Sequence, residues 1–415
     1  MTKSRAFLLG LALLFGIALA AVITHPRETR RAIFMGTLFQ GVDMTDEFAD
    51  MRSLFPIRRV RTAAPTKLPA AASPLSLPET YAWNGETRPA RKLLEETGTS
   101  GLLVLADGAI VHEEYALTGG PDVRWISWSV AKSFVSALVG IALGERRFES
   151  IEDPITKYLP ELAGSAYDGV RIKDVLQMSS GASWNEDYGN YGSDITRFGM
   201  TIVLGGSQDE FARTLVRERE PGSYNHYNST DTQVLGMLLV RVTGRPIADY
   251  MEEKLWQPLA MERDAYWITD DAGMELAFGG LNATLRDYAR FGELYRNGGR
   301  WNGRQVVPAD WVAASVRADA PHLQPGGNPQ SDWVVGYGYQ WWLPESEEGE
   351  FSAIGVYNQF IYVNPVRGVV IAKTSANPAY GTDESTDREL ETLAMFSQIA
   401  RSVRPEASAP GVFGR

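Results

Sequence analysis

The sequence predicts an α+β fold: one antiparallel sheet built from both chain ends, flanked by helices, with a mostly helical region inserted between its halves. Three observations carry this. Residues 101–105 and 109–115 are apolar or alternating runs joined by Asp107-Gly108, a dipeptide suited to a tight hairpin. Four further extended runs, 335–342, 351–355, 359–363 and 369–374, fill the last third of the chain. Between the two groups the apolar spacing changes to three and four, the period of helices.

In chain order, residues 1–30 read as an export signal or membrane anchor. Lys3 and Arg5 precede an uncharged run, 6–23, which is long for a secretion-signal core and about the minimum for a membrane span. Ala18-Leu19-Ala20 offers a small-x-small cleavage site, and cleavage and retention as an anchor both remain open. The body is expected to be exported, either periplasmic or anchored facing outward. Arg27, Arg30 and Arg31 oppose that orientation, because positive charge tends to stay inside. Residues 31–85 show no sustained period, and 63–78 are rich in Ala, Pro and Ser, so this stretch reads as an N-terminal extension and linker, partly packed on the body. The main domain is expected over 86–404, with 405–415 as a tail.

Within the main domain 90–97 reads as a helix, and the first hairpin follows. From Ser129 the apolar residues Ala131, Phe134, Val135, Leu138, Val139 and Ala142 lie on one helical stripe. Short helical runs come next at 155–162, 172–178, 195–204 and 209–217, then the turn Glu220-Pro221-Gly222 and an apolar helix over 234–242. The glycine-rich turn 278–281 leads to a helix over 285–295, and 388–403 closes the chain as a helix. The acidic residues Glu345, Glu347, Glu348 and Glu350 read as a solvated loop.

Composition removes several classes of function. The 415 residues are 44% hydrophobic, enough for a large core, and the net charge of −11 with no basic cluster in the body argues against a nucleic-acid partner. There is no cysteine, so disulfides, thiolate metal sites and a cysteine nucleophile are excluded. The four histidines, at 25, 112, 226 and 322, form no H-E-x-x-H pair, which argues against a zinc hydrolase. No metal or cofactor is implied.

The chemistry is expected at the start of the helix after Ser127. Ser129 and Lys132 are i and i+3, so they share a face. Desolvation lowers a lysine pKa, and a neutral Lys132 can take the Ser129 proton, while free NH groups of the first turn favour developing negative charge. A capping serine followed by a snorkelling lysine is the structural alternative. Tyr227 stands in a turn at a helix start, where a phenol can project into a cleft and relay a proton, or serve as a core tyrosine. Ser229 either hydrogen-bonds Lys132 or the substrate, or caps the helix that follows.

Four segments in this order resemble one family. They are Ser129-Val130-Ala131-Lys132; Arg171 through Gly181, reading RIKDVLQMSSG; Pro221-Gly222 with Tyr227 five residues on and Ser229 after it; and Gly279-Gly280-Leu281 followed by Thr284 through Gly292, reading TLRDYARFG. From about 101 to about 403 the chain resembles the serine β-lactamase-like hydrolases, which include class C β-lactamases, DD-peptidases, family VIII esterases and 6-aminohexanoate-dimer hydrolase. The resemblance implies the β-lactamase/DD-transpeptidase-like fold and a Ser129 acyl-enzyme, with Lys132 as general base and Tyr227 as proton shuttle. Ser229, where class C enzymes have Asn, points to the esterase and aminohexanoate-hydrolase branch. No G-x-S-x-G elbow is present, so His226 reads as structural.

The family's third motif, K-T-G or H-x-G, is altered. The matching segment is read as 355–363, with Val356 in place of the cation and Asn358 in place of the glycine. The oxyanion is then expected between the backbone NH groups of Ser129 and a residue near Gln359, with Tyr357 and Asn358 beside the substrate. Lys373-Thr374-Ser375 imitates K-T-G but falls on the last strand and is set aside. Without the cation, recognition of a substrate carboxylate weakens. The expected substrates are therefore small esters or amides, ahead of β-lactams and D-amino peptides. A penicillin-recognising or cell-wall-binding module that acylates without turnover is the alternative from another class. Trp128, Trp184, Tyr188 and Tyr357 are candidates to line the cleft.

Overall fold

The computed structural model describes residues 26–381 and 385–404, so the expected export run at 6–23 and the tail at 405–415 lie outside the described residues. Among the described residues no helix is long and apolar enough to cross a membrane.

The Asp107-Gly108 hairpin joins β1 (Thr99–Ala106) to β2 (Ala109–Tyr115), and both turn residues take positive φ, 46° and 80°. The C-terminal strands are β3 (Gly336–Tyr337), β4 (Trp342–Leu343), β5 (Phe351–Gly355), β6 (Gln359–Asn364) and β7 (Val369–Ser375). They join the first hairpin in one antiparallel sheet of order β3-β4-β5-β6-β7-β1-β2, so β7 pairs with β1 and the chain ends meet in the middle. The run expected as one strand over 335–342 is split, because Gln340 takes φ 63° and turns the chain between β3 and β4.

Side-chain alternation then dictates the layers. Leu103, Leu105, Ile361, Val363, Val370 and Ala372 face one core. That core also holds α2 (Ala131–Gly144) and α5 (Leu285–Arg296), which are named here after α1 (Pro26–Thr37) and with α3 (Asp194–Val203) and α4 (Ser229–Thr243). Leu102, Val104, Phe360, Tyr362 and Ile371 face the opposite core, against Phe396 and Ile399 of α6 (Ser385–Val403). Every residue of α2 from Ala131 to Ala142 is buried, which is why its sequence is apolar almost all round. Gly292 of α5 lets the helix lie flat on the sheet: a Cβ there would come within 2.6 Å of Val370 and 2.7 Å of Ile361.

The stretch read as extension and linker carries more structure than its lack of period indicates. α1 runs from Pro26, a short helix covers Thr45–Ala49, and Ile57–Val60 pairs with Ala265–Ile268 at the edge of a second sheet completed by Leu281–Ala283 and Trp125–Ile126. Phe34, Leu38, Phe48, Met51, Leu54 and Phe55 bury against Trp125, Ile268 and Tyr357. These apolar residues are divided among several short elements, so no single period marks them.

Candidate active site

The chain leaves the second sheet at Trp125–Ile126, makes one tight turn over Trp128–Val130 and enters α2. Trp128 takes φ 44°, a conformation that costs an L-residue energy and persists only when neighbours hold it. Phe48 packs edge-on at 5.4 Å and Tyr357 stacks at 6.3 Å, so aromatic packing fixes the residue before Ser129.

One helical turn on, Lys132 is fully enclosed. Its Nζ donates to Ser129 Oγ at 2.8 Å, to Ser229 Oγ at 3.1 Å and to the Phe278 carbonyl at 2.9 Å. Burial pushes its pKa down to about 7, partly opposed by the Glu186 carboxylate. The same burial pushes the Tyr227 phenol well above its ordinary range, an effect that Ser129 opposes in part. The Tyr227 ring stacks on Trp342 at 5.2 Å and lies 5.0 Å from Lys132 Nζ.

α4 is capped by Asn228, whose Oδ1 accepts from Thr230 N at 2.8 Å. The Ser229 hydroxyl is therefore free of capping duty. It donates to Glu186 Oε1 at 2.6 Å while accepting from Lys132. Glu186 also takes the Ser229 NH at 3.1 Å, the Tyr188 hydroxyl at 2.6 Å and the Trp184 indole NH. Sequence reading did not single out Glu186. It is one of two adjacent acids in the unpatterned stretch Trp184-Asn185-Glu186-Asp187-Tyr188, and only its place under α4 reveals it.

A cleft of about 890 Å³ opens over Ser129 and Tyr227, with Trp184 and Tyr188 on its wall. Glu186, Asp187, Asp332 and Glu389 line it, and among the described residues no lysine or arginine does. Glu389 accepts from the Tyr380 hydroxyl at 2.8 Å, and burial pushes its carboxyl up to about 7. His226 stands on the same wall, but one ring nitrogen bonds Asp332 and the other lies 2.8 Å from the Trp184 carbonyl. With acceptors on both sides the imidazolium is favoured, and its pKa is raised by Asp332 and that carbonyl against the effect of burial.

The third motif sits in a different register from the one read in sequence. Gly355, not Asn358, is the glycine pressed on Ser129: a Cβ there would lie 2.7 Å from Ser127 O and 3.0 Å from Ser129 N. Gly355 and Val356 line the cleft beside Ser129. Gln359 is buried, its amide spent on Val356 O (3.2 Å), Tyr357 O (3.2 Å) and Ser375 O (2.6 Å). Asn358 is buried as well and accepts from Asn377 at 2.7 Å. Tyr357 points to the N-terminal stretch, its hydroxyl taking the Phe39 NH at 2.9 Å. None of these three side chains lines the cleft, in contrast to the expected place beside the substrate for Tyr357 and Asn358. The physical reason is the hairpin: Gly355 pairs with Gln359, and the turn between them rolls Tyr357 and Asn358 (φ 64° and 65°) away from Ser129. Lys373 is buried on β7 with its Nζ on Ser375 and the Asn358 carbonyl, away from the cleft.

Comparison with known proteins agrees with this geometry. Residues 90–395 match the Beta-lactamase family. The 6-aminohexanoate-dimer hydrolase of Paenarthrobacter ureafaciens is 33% identical over 293 residues, 69% of this chain and 74% of that protein. A Bacillus anthracis structure provisionally named a 6-aminohexanoate-dimer hydrolase superimposes with a TM-score of 0.77 at 24% identity, covering 87% of this chain and 95% of the other. EstCE1, a hydrolase with promiscuous acyltransferase activity, gives 0.58 at 15% identity, covering 76% and 96%. With a family match over most of its length and a buried serine–lysine pair at the mouth of a cleft, the chain belongs to the beta-lactamase family and is a serine hydrolase of ester and amide bonds.

Proposed function

We propose that Ser129 is the nucleophile, that Lys132 is its general base, and that Tyr227 carries the proton to the leaving group. The observation that supports this most directly is Lys132 Nζ, 2.8 Å from Ser129 Oγ with a pKa brought to about 7. Neutral Lys132 takes the Oγ proton as Oγ adds to the substrate carbonyl. The oxyanion is held by the backbone NH groups of Ser129 and Val356, at the contact that Gly355 makes close. On collapse the C–O or C–N bond breaks. Tyr227 gives its proton to the departing alkoxide or amine and is reprotonated from Lys132. Water then adds to the acyl-enzyme by the same route, releasing the acid and restoring Ser129.

The cleft favours neutral or amine-bearing substrates over anionic ones, because carboxylates line it and no lysine or arginine among the described residues does. A linear amide of the kind named for the Paenarthrobacter relative is the amide substrate to test first. The test is hydrolysis of p-nitrophenyl acetate, the 6-aminohexanoate linear dimer and nitrocefin by wild type and Ser129→Ala. Turnover of ester and linear amide that vanishes in the variant is the expected result. Turnover that survives Ser129→Ala overturns the assignment, and nitrocefin as the best substrate overturns the substrate class. We also place the body outside the cytoplasm on the strength of the 6–23 run. Recovery of the full chain in the cytosolic fraction would refute that.

A further inference from the structure

We propose that the N-terminal stretch from Pro26 to Phe55 forms one wall of a short-chain acyl pocket, so that the enzyme prefers unbranched hydrocarbon acyl groups of about four carbons. The proposal rests on the acyl-enzyme reading above and names the acyl half of the substrate.

A second cavity, of about 80 Å³, lies behind the nucleophile and meets the main cleft at Ser129, Tyr188 and Val356, which line both. Met35, Leu38 and Phe39 from the N-terminal stretch face Ile195 and Ile202 of α3 across it. Among the described residues no charged side chain lines this cavity, in contrast to the acidic cleft. The N-terminal wall is fixed to the body. Phe39 packs at 4.6 Å from Tyr188 and 5.2 Å from Tyr357, the Arg31 guanidinium donates to Ile202 O at 3.1 Å, and the Tyr191 hydroxyl donates to Gly36 O at 3.2 Å. This wall lies outside residues 90–395, the part that carries the family match.

The catalytic geometry decides which half of the substrate enters. Tyr227 lines the cleft but not the inner cavity. A leaving group that takes its proton from Tyr227 must occupy the cleft, and the substituent on the other side of the carbonyl is directed to the cavity. Its size is roughly half that of a ~150 Å³ cavity able to hold benzene, which suits a chain of about three carbons beyond the carbonyl.

The experiment measures kcat/KM of the full chain on p-nitrophenyl acetate, propionate, butyrate, hexanoate and octanoate, with Met35→Ala and Ile195→Ala on opposite walls. In wild type the rate constant is expected to rise roughly fourfold per methylene up to butyrate. It should then fall at hexanoate by about tenfold, the scale of misfit for an oversized chain. Both variants should move the optimum towards hexanoate. A flat profile, or a rise continuing through octanoate, overturns the pocket on the wild-type data alone. Variants of native melting temperature with an unmoved optimum overturn it as well. Ser129-dependent turnover separates these outcomes from failure of the acyl-enzyme reading, which would show as no turnover that depends on Ser129.

Discussion

Burial drives Lys132 and Tyr227 in opposite directions, leaving the amine able to accept a proton near neutrality and the phenol able only to donate one. The rise of kcat/KM with pH should therefore have its midpoint near 7, the point at which Lys132 loses its proton. Glu186 stabilises the ammonium form, so Glu186→Gln favours the neutral amine and moves this acidic limb to lower pH. A full pH profile of the variant checks the sign, and an unmoved limb would show that Glu186 does not tune Lys132. Tyr227→Phe keeps the ring stacked on Trp342 but removes the relay, and a loss of about 10²–10⁴ in kcat is expected, read by steady-state kinetics. That Ser129, Lys132 and Tyr227 lie together was legible in sequence because their signals are local: one helical turn, and a tyrosine at fixed distance from a Pro-Gly turn. Glu186 was not, since its partners Ser229 and Lys132 are brought to it only by the folding of a loop under α4.

Gly355, at the end of β5, is the place where the sheet touches the turn at Ser129. The sequence reading set the motif three residues too far along because it looked for a lysine or histidine ahead of the glycine, and none precedes Gly355 on this strand. What marks it is closeness of backbone, which a sequence shows only as an unremarked glycine. Gly355→Ala places a methyl group 2.7 Å from Ser127 O, so either β5 or the turn at Ser129 must shift. The expected outcome is a fall in kcat of about 10²–10³, the scale of losing one oxyanion donor. Overpacking should cost at most about 1–3 kcal/mol of stability. Kinetics beside thermal melting separate the two, and unchanged kcat would move the oxyanion site elsewhere. The α5 segment, read from sequence as a family mark, also has a mechanical content. Thr284 caps the helix, Asp287 accepts the Glu262 NH at 2.7 Å, and Gly292 seats the helix on the sheet.

Across the whole molecule, the two-ended sheet was readable because its strands are apolar runs bounded by turns, whereas the docking of residues 26–68 was not, because it depends on contacts distant in sequence. Arg290 ties these parts together. Its guanidinium has no solvent exposure and donates to Leu259 O at 2.9 Å, Ala260 O at 2.8 Å and Thr66 Oγ1 at 3.0 Å, with a further bond to the Thr66 carbonyl. Glu262 Oε1 lies 3.4 Å away, and that carboxylate also accepts the Leu68 NH at 2.9 Å. One side chain of α5 thus fastens the N-terminal stretch to the loop before Ala265–Ile268. In Arg290→Met several carbonyls and a buried carboxylate lose their donor, and methionine supplies only volume. Breaking a buried pair in this way costs about 3–5 kcal/mol, which should appear as a lower urea midpoint. Arg290→Lys keeps the charge but cannot reach acceptors on both sides, and should recover less than half of the loss. Because Arg290 lies apart from Ser129, the acidic limb of the rate profile should stay where wild type has it at temperatures where the variant is folded. Stability loss below about 1 kcal/mol in Arg290→Met would show that the N-terminal stretch is held by its apolar contacts alone.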